Sequence, residues 1–419
     1  MFSKVVLFTK FFVAVLPILC ERLVLSIRAQ IHHYTYKPGS DPRNIIIIGG
    51  SFGGQSLAVE LAKRIPNGYR VVLIEKNSHF NFSWLFPRVS VVEGHEHKAF
   101  IPYHGGFAKL PAGSFHFIQA CVVAVDEHAV TLQDGTRLEY TYLAVATGST
   151  GVPPWHLATG EKRDGVEVFR GMQKAIRDAK DLVIVGGGAV GVELAADAKT
   201  KYPEKNVSLI HSRSTLLNSF GPKLHDYVME EFRKLEINVH LGERAPEGVQ
   251  NEKALDFTLK SGKVVTFDLL IRCTGAKPAS STLSGVSPSS ISPSGTVLVK
   301  KTLQITDTNH PRIYAFGDVV ETGGVRMGRA ATFQASVVAA NITRSIKGKP
   351  LKDYKIFSFL GGMIDLTLGL TKSVVYIRDN DKEFLIPRKK KIDLDAYEAW
   401  KLNGARPFED KDYDMKLRA

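Results

Sequence analysis

A chain of 419 residues that is 44% hydrophobic and 23% charged can bury a sizeable core and is neither disordered nor collagenous. Its length suits two or three domains of roughly 100 to 200 residues. The net charge of +13 admits nucleic acid, an anionic membrane surface or an anionic cofactor as partner, yet no basic helix interleaved with aromatics and no nucleic-acid motif occurs, which disfavours nucleic acid. Cys20, Cys121 and Cys273 are far apart in sequence, so a disulfide scaffold, a Cys-x-x-Cys redox pair and a cysteine-rich zinc site are excluded. Redox chemistry in this chain requires a bound cofactor, and no metal is expected.

The N-terminus carries an apolar run from Phe11 to Cys20, about half of the ~20 residues that span a bilayer. Extending the run to Val5–Ile27 encloses Lys10, Pro17, Glu21 and Arg22, which disfavour a span. We read residues 1–43 as a membrane-anchoring or membrane-lying segment followed by a polar linker from Gln30. A helix packed on the body, a secretory signal and a mitochondrial targeting segment stand as alternatives.

From Asn44 the sequence runs Asn-Ile-Ile-Ile-Ile into Gly49-Gly50-Ser51-Phe52-Gly53-Gly54, then the helical stretch QSLAVELAKRI, then an apolar strand ending at Glu75. A β-branched run of this kind suits a strand buried on both faces of a parallel sheet. A glycine turn between strand and helix lets pyrophosphate oxygens meet unpaired helix N–H groups and the positive end of the helix dipole. Glu75 falls where a ribose-binding acid belongs, and Ser51 stands where the middle glycine would be.

A second copy follows: Leu182–Val185, then Gly186-Gly187-Gly188-Ala189-Val190-Gly191, a helix, and a strand over Val207–Ile210. Gly186, Gly188 and Gly191 have the full G-x-G-x-x-G spacing. No acid closes the second strand, where His211, Ser212 and Arg213 stand. Arg213 could pair with a 2′-phosphate, so NADPH is permitted alongside NADH.

Tyr142–Ser149 and Leu269–Pro278 are strands that end in Thr-Gly, and Ile313–Val319 is a strand that ends in Gly317-Asp318. The stretch Gly328–Ile346 patterns as an amphipathic helix. In this order the motifs resemble the FAD-dependent pyridine-nucleotide oxidoreductases, and GGGAVGVELAADAKTKYPEKNVSLIHS and YLAVATGSTG resemble their apoptosis-inducing-factor-like members. The likeness covers roughly residues 44–355. It implies an α/β protein with two Rossmann-like domains, the FAD domain (44–150 and 276–346) interrupted by the NAD(P)H domain (151–275), with a C-terminal region over 347–419.

Carried over residue by residue, the resemblance implies FAD contacts from Gly49–Gly54, Glu75, Arg88, the Val122 backbone and Asp318. Gly186, Gly188, Gly191 and Arg213 would hold NAD(P)H. Glu193 would lie near the nicotinamide, and Lys355, after Tyr354, near the flavin. The helix Gly328–Ile346 would aim its N-terminus at the flavin ring.

With no thiol pair near either glycine turn, electrons leave the flavin directly. The reading is an FAD-dependent oxidoreductase that takes hydride from NAD(P)H and passes electrons to a quinone-like lipophilic acceptor. The expected location is a membrane surface, with the mitochondrion and the cytosolic face of another membrane both open. Two alternatives share the motifs: a flavin oxidoreductase of secondary metabolism, and a redox-sensing or death-promoting binding protein with a regulatory flavin. The basic run Arg388–Lys391 is a second candidate for contact with anionic lipid.

Overall fold

The alternating side chains of the first strand show how the sequence builds a two-faced sheet. Ile45 and Ile47 belong to one apolar cluster, with Leu57, Leu61, Val71, Leu73, Tyr142 and Tyr314. Ile46 and Ile48 belong to another, with Val72, Ile74, Leu143, Val145 and Ile313. Both faces are covered, so every position of the run is apolar, and truncating any of these isoleucines to alanine would cost about 2–5 kcal/mol.

The computed structural model describes residues 16, 23–246, 255–356, 362–379 and 382–410. The chain divides into two units. The first takes Met1–Lys76, Phe107–Ser149 and Pro278–Ile356. Its five-stranded parallel sheet runs Ile313–Ala315, Tyr142–Val145, Arg43–Ile48, Tyr69–Glu75, Phe115–Gln119. Helices Phe52–Ala62 and Gly328–Ile346 lie in the same unit, the latter with the bounds expected.

The second unit takes Asn77–Gly106, Thr150–Lys277 and Phe357–Ala419. Its four-stranded parallel sheet runs Asn238–Leu241, Asn206–His211, Asp181–Val185, Leu269–Arg272. A three-stranded antiparallel sheet, Ile364–Thr367, Lys372–Asp379 and Lys382–Lys389, belongs to it as well. In both parallel sheets the founding strand has the second strand on one side and a strand from much later in the chain on the other. That reversal is the topological switch point, where open α/β sheets place their ligands.

Three expectations need adjustment. Residues 77–106, expected in the first unit, group with the second, and so do the described residues beyond 356, expected as a separate C-terminal region. Residues 30–35, read as linker, continue a helix over 23–35. Its C-terminal end is held by His32 Nε2 on the Ile65 carbonyl at 2.7 Å and by the hydroxyl of the following Tyr36, which donates to the Tyr69 carbonyl at 2.5 Å. Polar composition there marks a helix face rather than a break. Phe11–Cys20 lies outside the described residues apart from Leu16. Among the described residues no helix is long and apolar enough to cross a membrane.

Candidate functional site: two dinucleotide turns

The two glycine turns are constructed alike. Gly49 has φ +98° and Gly186 has φ +120°, a left-handed backbone that a Cβ would strain. A Cβ on Gly49 would also reach the Ala146 carbonyl oxygen at 2.5 Å, and one on Gly186 the Cys273 carbonyl oxygen at 2.8 Å. Each first glycine thus abuts the strand end that closes the switch point, the places read from Thr147-Gly148 and Thr274-Gly275. At the last position a Cβ on Gly54 would overlap the carbonyl of Gly49, and one on Gly191 that of Gly186. The helix cannot approach its strand with any larger residue there.

Between these fixed points lies the position open to a ligand. Ser51 and Gly188 are the N-caps of helices Phe52–Ala62 and Ala189–Lys201, and neither cap makes a side-chain hydrogen bond. Both residues are exposed. A Cβ on Gly188 would meet nothing within 4 Å. The space, the helix N-terminus behind it and the missing acid in the first turn of either helix fit a pyrophosphate. Ser51 shows that the first turn tolerates a small side chain at the same point. Phe52 packs its ring against Gly328, where a Cβ would come within 2.8 Å, and Gly53 lies as close to the Phe316 ring.

Glu75, buried at the end of its strand, accepts the Gly50 N–H on Oε2. The Ala120 N–H donates to its carbonyl at 2.9 Å. Val122, two residues on, opens a small antiparallel sheet with its side chain buried. Asp318 sits in the one-turn helix Gly317–Val319, and burial pushes its pKa up, with Arg326 opposing. Gln334, a residue that the sequence reading missed, accepts the Gly317 N–H at 2.7 Å from a buried position on the helix Gly328–Ile346. Its signal was a polar residue on a face otherwise lined by Ala331, Ala335 and Val338. Asn341 on the same helix holds the Thr302 and Lys352 carbonyls at 2.9 and 2.8 Å. Lys355 is exposed and follows Tyr354, whose N–H donates to Lys301.

In the second unit Glu193, the fifth residue of the helix Ala189–Lys201, accepts the Thr367 N–H at 3.1 Å. Burial raises its pKa from 4.5 to about 7, with Asp197 one turn on also raising it and the Thr367 bond opposing. A carboxyl poised near neutrality can hold or release a proton at working pH.

Arg88 is placed otherwise than expected. It is 1% exposed, its Nε donates to Asp197 Oδ2 at 2.7 Å, and its terminal nitrogens donate to the carbonyls of Leu370, Ile392 and Gly369 at 3.1 Å each. Four of the five N–H donors of a guanidinium are committed to this unit, so the phosphate contact expected of Arg88 gives way to a structural one. Breaking the buried pair would cost about 3–5 kcal/mol. Burial pushes the Asp197 pKa up, and Arg88 opposes it.

Arg213 is exposed just past the strand Asn206–His211, and its carbonyl accepts the Gly242 N–H at 2.9 Å. Cys121 and Cys273 are both free thiols, and burial pushes Cys273 up to about 12. Neither makes a redox pair. Among the described residues no group of His, Cys, Asp or Glu is arranged to hold a metal ion.

Comparison with known proteins places this geometry. The family model described as pyridine nucleotide-disulphide oxidoreductase matches residues 43–339. Fe-regulated protein 8 of Mycosarcoma maydis is 32% identical over 86% of this chain and 95% of its own length. Human ferroptosis suppressor protein 1 is 33% identical over 74% of this chain and 83% of its own. Among solved structures, the sulfide:quinone oxidoreductase of Aquifex aeolicus has the same fold, with a TM-score of 0.70 at 19% identity, over 90% of this chain and 96% of that one. The chain belongs to the pyridine nucleotide-disulphide oxidoreductase family, and it is an oxidoreductase whose cofactors are FAD and NAD(P)H.

Proposed function

We propose that the chain oxidises NAD(P)H and delivers the electrons to a quinone-like lipophilic acceptor. The observation that carries this reading is two dinucleotide turns of one steric construction in a sequence whose three cysteines stand far apart, with Cys121 and Cys273 both free. When bound, FAD supplies the hydride-accepting and electron-donating chemistry. The chain's own residues do the rest. Gly49–Gly54 and the helix N-terminus hold pyrophosphate, Glu75 serves the adenosine ribose, and Asp318 and the Val122 backbone hold the rest of FAD. Gly186, Gly188 and Gly191 hold NAD(P)H, Glu193 orients the nicotinamide or carries a proton there, and Lys355 lies toward the flavin. Without paired cysteines to relay electrons, the acceptor must reach the flavin itself.

The fold shared with a protein named sulfide:quinone oxidoreductase supports a quinone as that acceptor. Leu23, Val24, Ile27 and Ile31 form an exposed apolar stripe on the helix over 23–35, which supports docking on a membrane where such acceptors dissolve. In the basic run, Lys390 is spent on Asp365 and Asp395 at 2.9 and 2.8 Å, which leaves Arg388, Lys389 and Lys391 exposed to anionic headgroups. The reading is tested by steady-state NAD(P)H oxidation with a ubiquinone analogue, a water-soluble dye and oxygen as separate acceptors. Turnover that is fastest with the quinone supports it. Turnover with oxygen alone, or none with any acceptor, sinks it.

A further inference from the structure

We infer that His211 makes the second dinucleotide site accept a 2′-phosphate, by putting an uncharged ring where the first turn keeps a carboxylate and leaving Arg213 as the charged group beside the adenosine ribose. The inference rests on the reading of the second turn as the NAD(P)H site and names the residue that sets its selectivity.

The two turns match at this point residue for residue. Glu75 is the last residue of the strand Tyr69–Glu75 and accepts the N–H of the second glycine, Gly50. His211 is the last residue of the strand Asn206–His211, and its Nδ1 accepts the N–H of the second glycine, Gly187, at 3.1 Å. A Cβ on Gly50 would meet the Glu75 side chain at 3.0 Å, and one on Gly187 would meet the His211 ring at 2.7 Å. Each side chain is thus the wall behind its turn, and each supplies the turn with one acceptor. They differ in charge.

A ring nitrogen that accepts an N–H carries no proton, so the hydrogen bond from Gly187 selects the neutral imidazole. Burial pushes the His211 pKa down, Arg213 and His225 push it the same way, and the Thr215 backbone and Asn218 side chain oppose them. The following loop closes on the same glycine, with the Leu217 N–H donating to the Gly187 carbonyl at 2.8 Å. From Asn206 to Phe220 the sequence contains no Asp or Glu. An acid at the end of this strand would bond both ribose hydroxyls and repel a phosphate ester. Here the turn gets its acceptor without an anion, and Arg213 stands exposed two residues on, with a guanidinium fork suited to phosphate oxygens.

The test measures binding directly by calorimetric titration of the FAD-loaded protein with NAD⁺ and with NADP⁺, so that no turnover is needed. Wild type is expected to bind both. His211→Glu, which rebuilds the first unit's arrangement, should weaken NADP⁺ at least ~10-fold while NAD⁺ changes less than ~3-fold. His211→Gln offers an uncharged acceptor and should leave the ratio of the two affinities unchanged. Arg213→Ala should weaken NADP⁺ ~10-fold and spare NAD⁺. Equal losses of both nucleotides in His211→Glu overturn the inference, as does a ratio in His211→Gln that moves as far as in His211→Glu. Should His211→Glu fail to fold, the His211→Gln and Arg213→Ala ratios still decide it. A wild type that binds NAD⁺ alone overturns the inference and leaves the dinucleotide reading standing, whereas one that binds neither removes both.

Discussion

The first and second turns repeat one backbone construction with two different sets of side chains. What they share is steric: the left-handed first glycine, the last glycine against its carbonyl, and an acceptor from the second strand on the second glycine. What differs is the open position, Ser51 against Gly188, and the backing residue, Glu75 against His211. The comparison teaches that the geometry of a dinucleotide turn is set by contacts of the chain with itself, whereas its choice of ligand is set by the one or two side chains that geometry leaves variable.

The shared part gives the largest effects. Gly54→Val and Gly191→Val each force a side chain into the carbonyl of the first glycine, at an expected cost of more than about 4 kcal/mol to that unit. Flavin absorbance should vanish from purified Gly54→Val, while Gly191→Val should keep it and lose nicotinamide binding. The opposite pattern would reverse the assignment of the two turns. At the open position the expectation changes. A Cβ on Gly188 meets no protein atom within 4 Å, so Gly188→Val should melt only a few degrees below wild type, the cost of an apolar N-cap. Its affinity for NAD(P)H should nevertheless fall, on the order of 10-fold or more, because the backbone must lie against the cofactor there. A large drop in melting temperature would show that the position is filled by protein.

These turns were legible in the sequence because each requirement leaves a mark on residue type: glycine for the left-handed backbone and the close helix approach, β-branched residues for a strand buried on two faces. The assignment of Arg88 was not legible. Its partners Asp197, Gly369, Leu370 and Ile392 are more than 100 residues away, three of the four acceptors are carbonyls, and any residue type supplies a carbonyl. For the same reason Gln334 and Asn341 passed unnoticed, since they bond backbone groups and carry no motif. The second unit's share of residues 77–106 was hidden likewise, because the first turn precedes that segment in sequence and the pairing that draws it away is non-local.

Glu193 has no ionisable counterpart in the first turn, where Ser56 holds the equivalent place. Its pKa is about 7 in the fold against 4.5 otherwise, so between those values the folded state keeps a proton that the unfolded chain has released. Its stabilising effect is therefore complete below about pH 4.5 and is lost as pH rises through about 7. Glu193→Gln should match wild type in thermal melts at pH 4.5 and exceed it at pH 8, by roughly 3 kcal/mol. A difference that does not change with pH would contradict the perturbed titration.

The smallest expected effect on the two turns comes from the N-terminus. Removing residues 1–30 should release the protein from anionic vesicles while FAD content and turnover with a water-soluble dye stay within about 2-fold. Loss of FAD and of dye turnover alike would instead make the helix over 23–35 part of the body. Vesicle binding that survives truncation but dissolves in salt would shift the contact to Arg388, Lys389 and Lys391.

The most direct test of the account is anaerobic mixing of the purified yellow protein with NADH or NADPH, followed by addition of a ubiquinone analogue, with flavin absorbance recorded throughout. Either nucleotide should bleach the flavin, and quinone should restore the full oxidised spectrum. A flavin that neither nucleotide bleaches, or that stays bleached in quinone and recovers only in air, would contradict it.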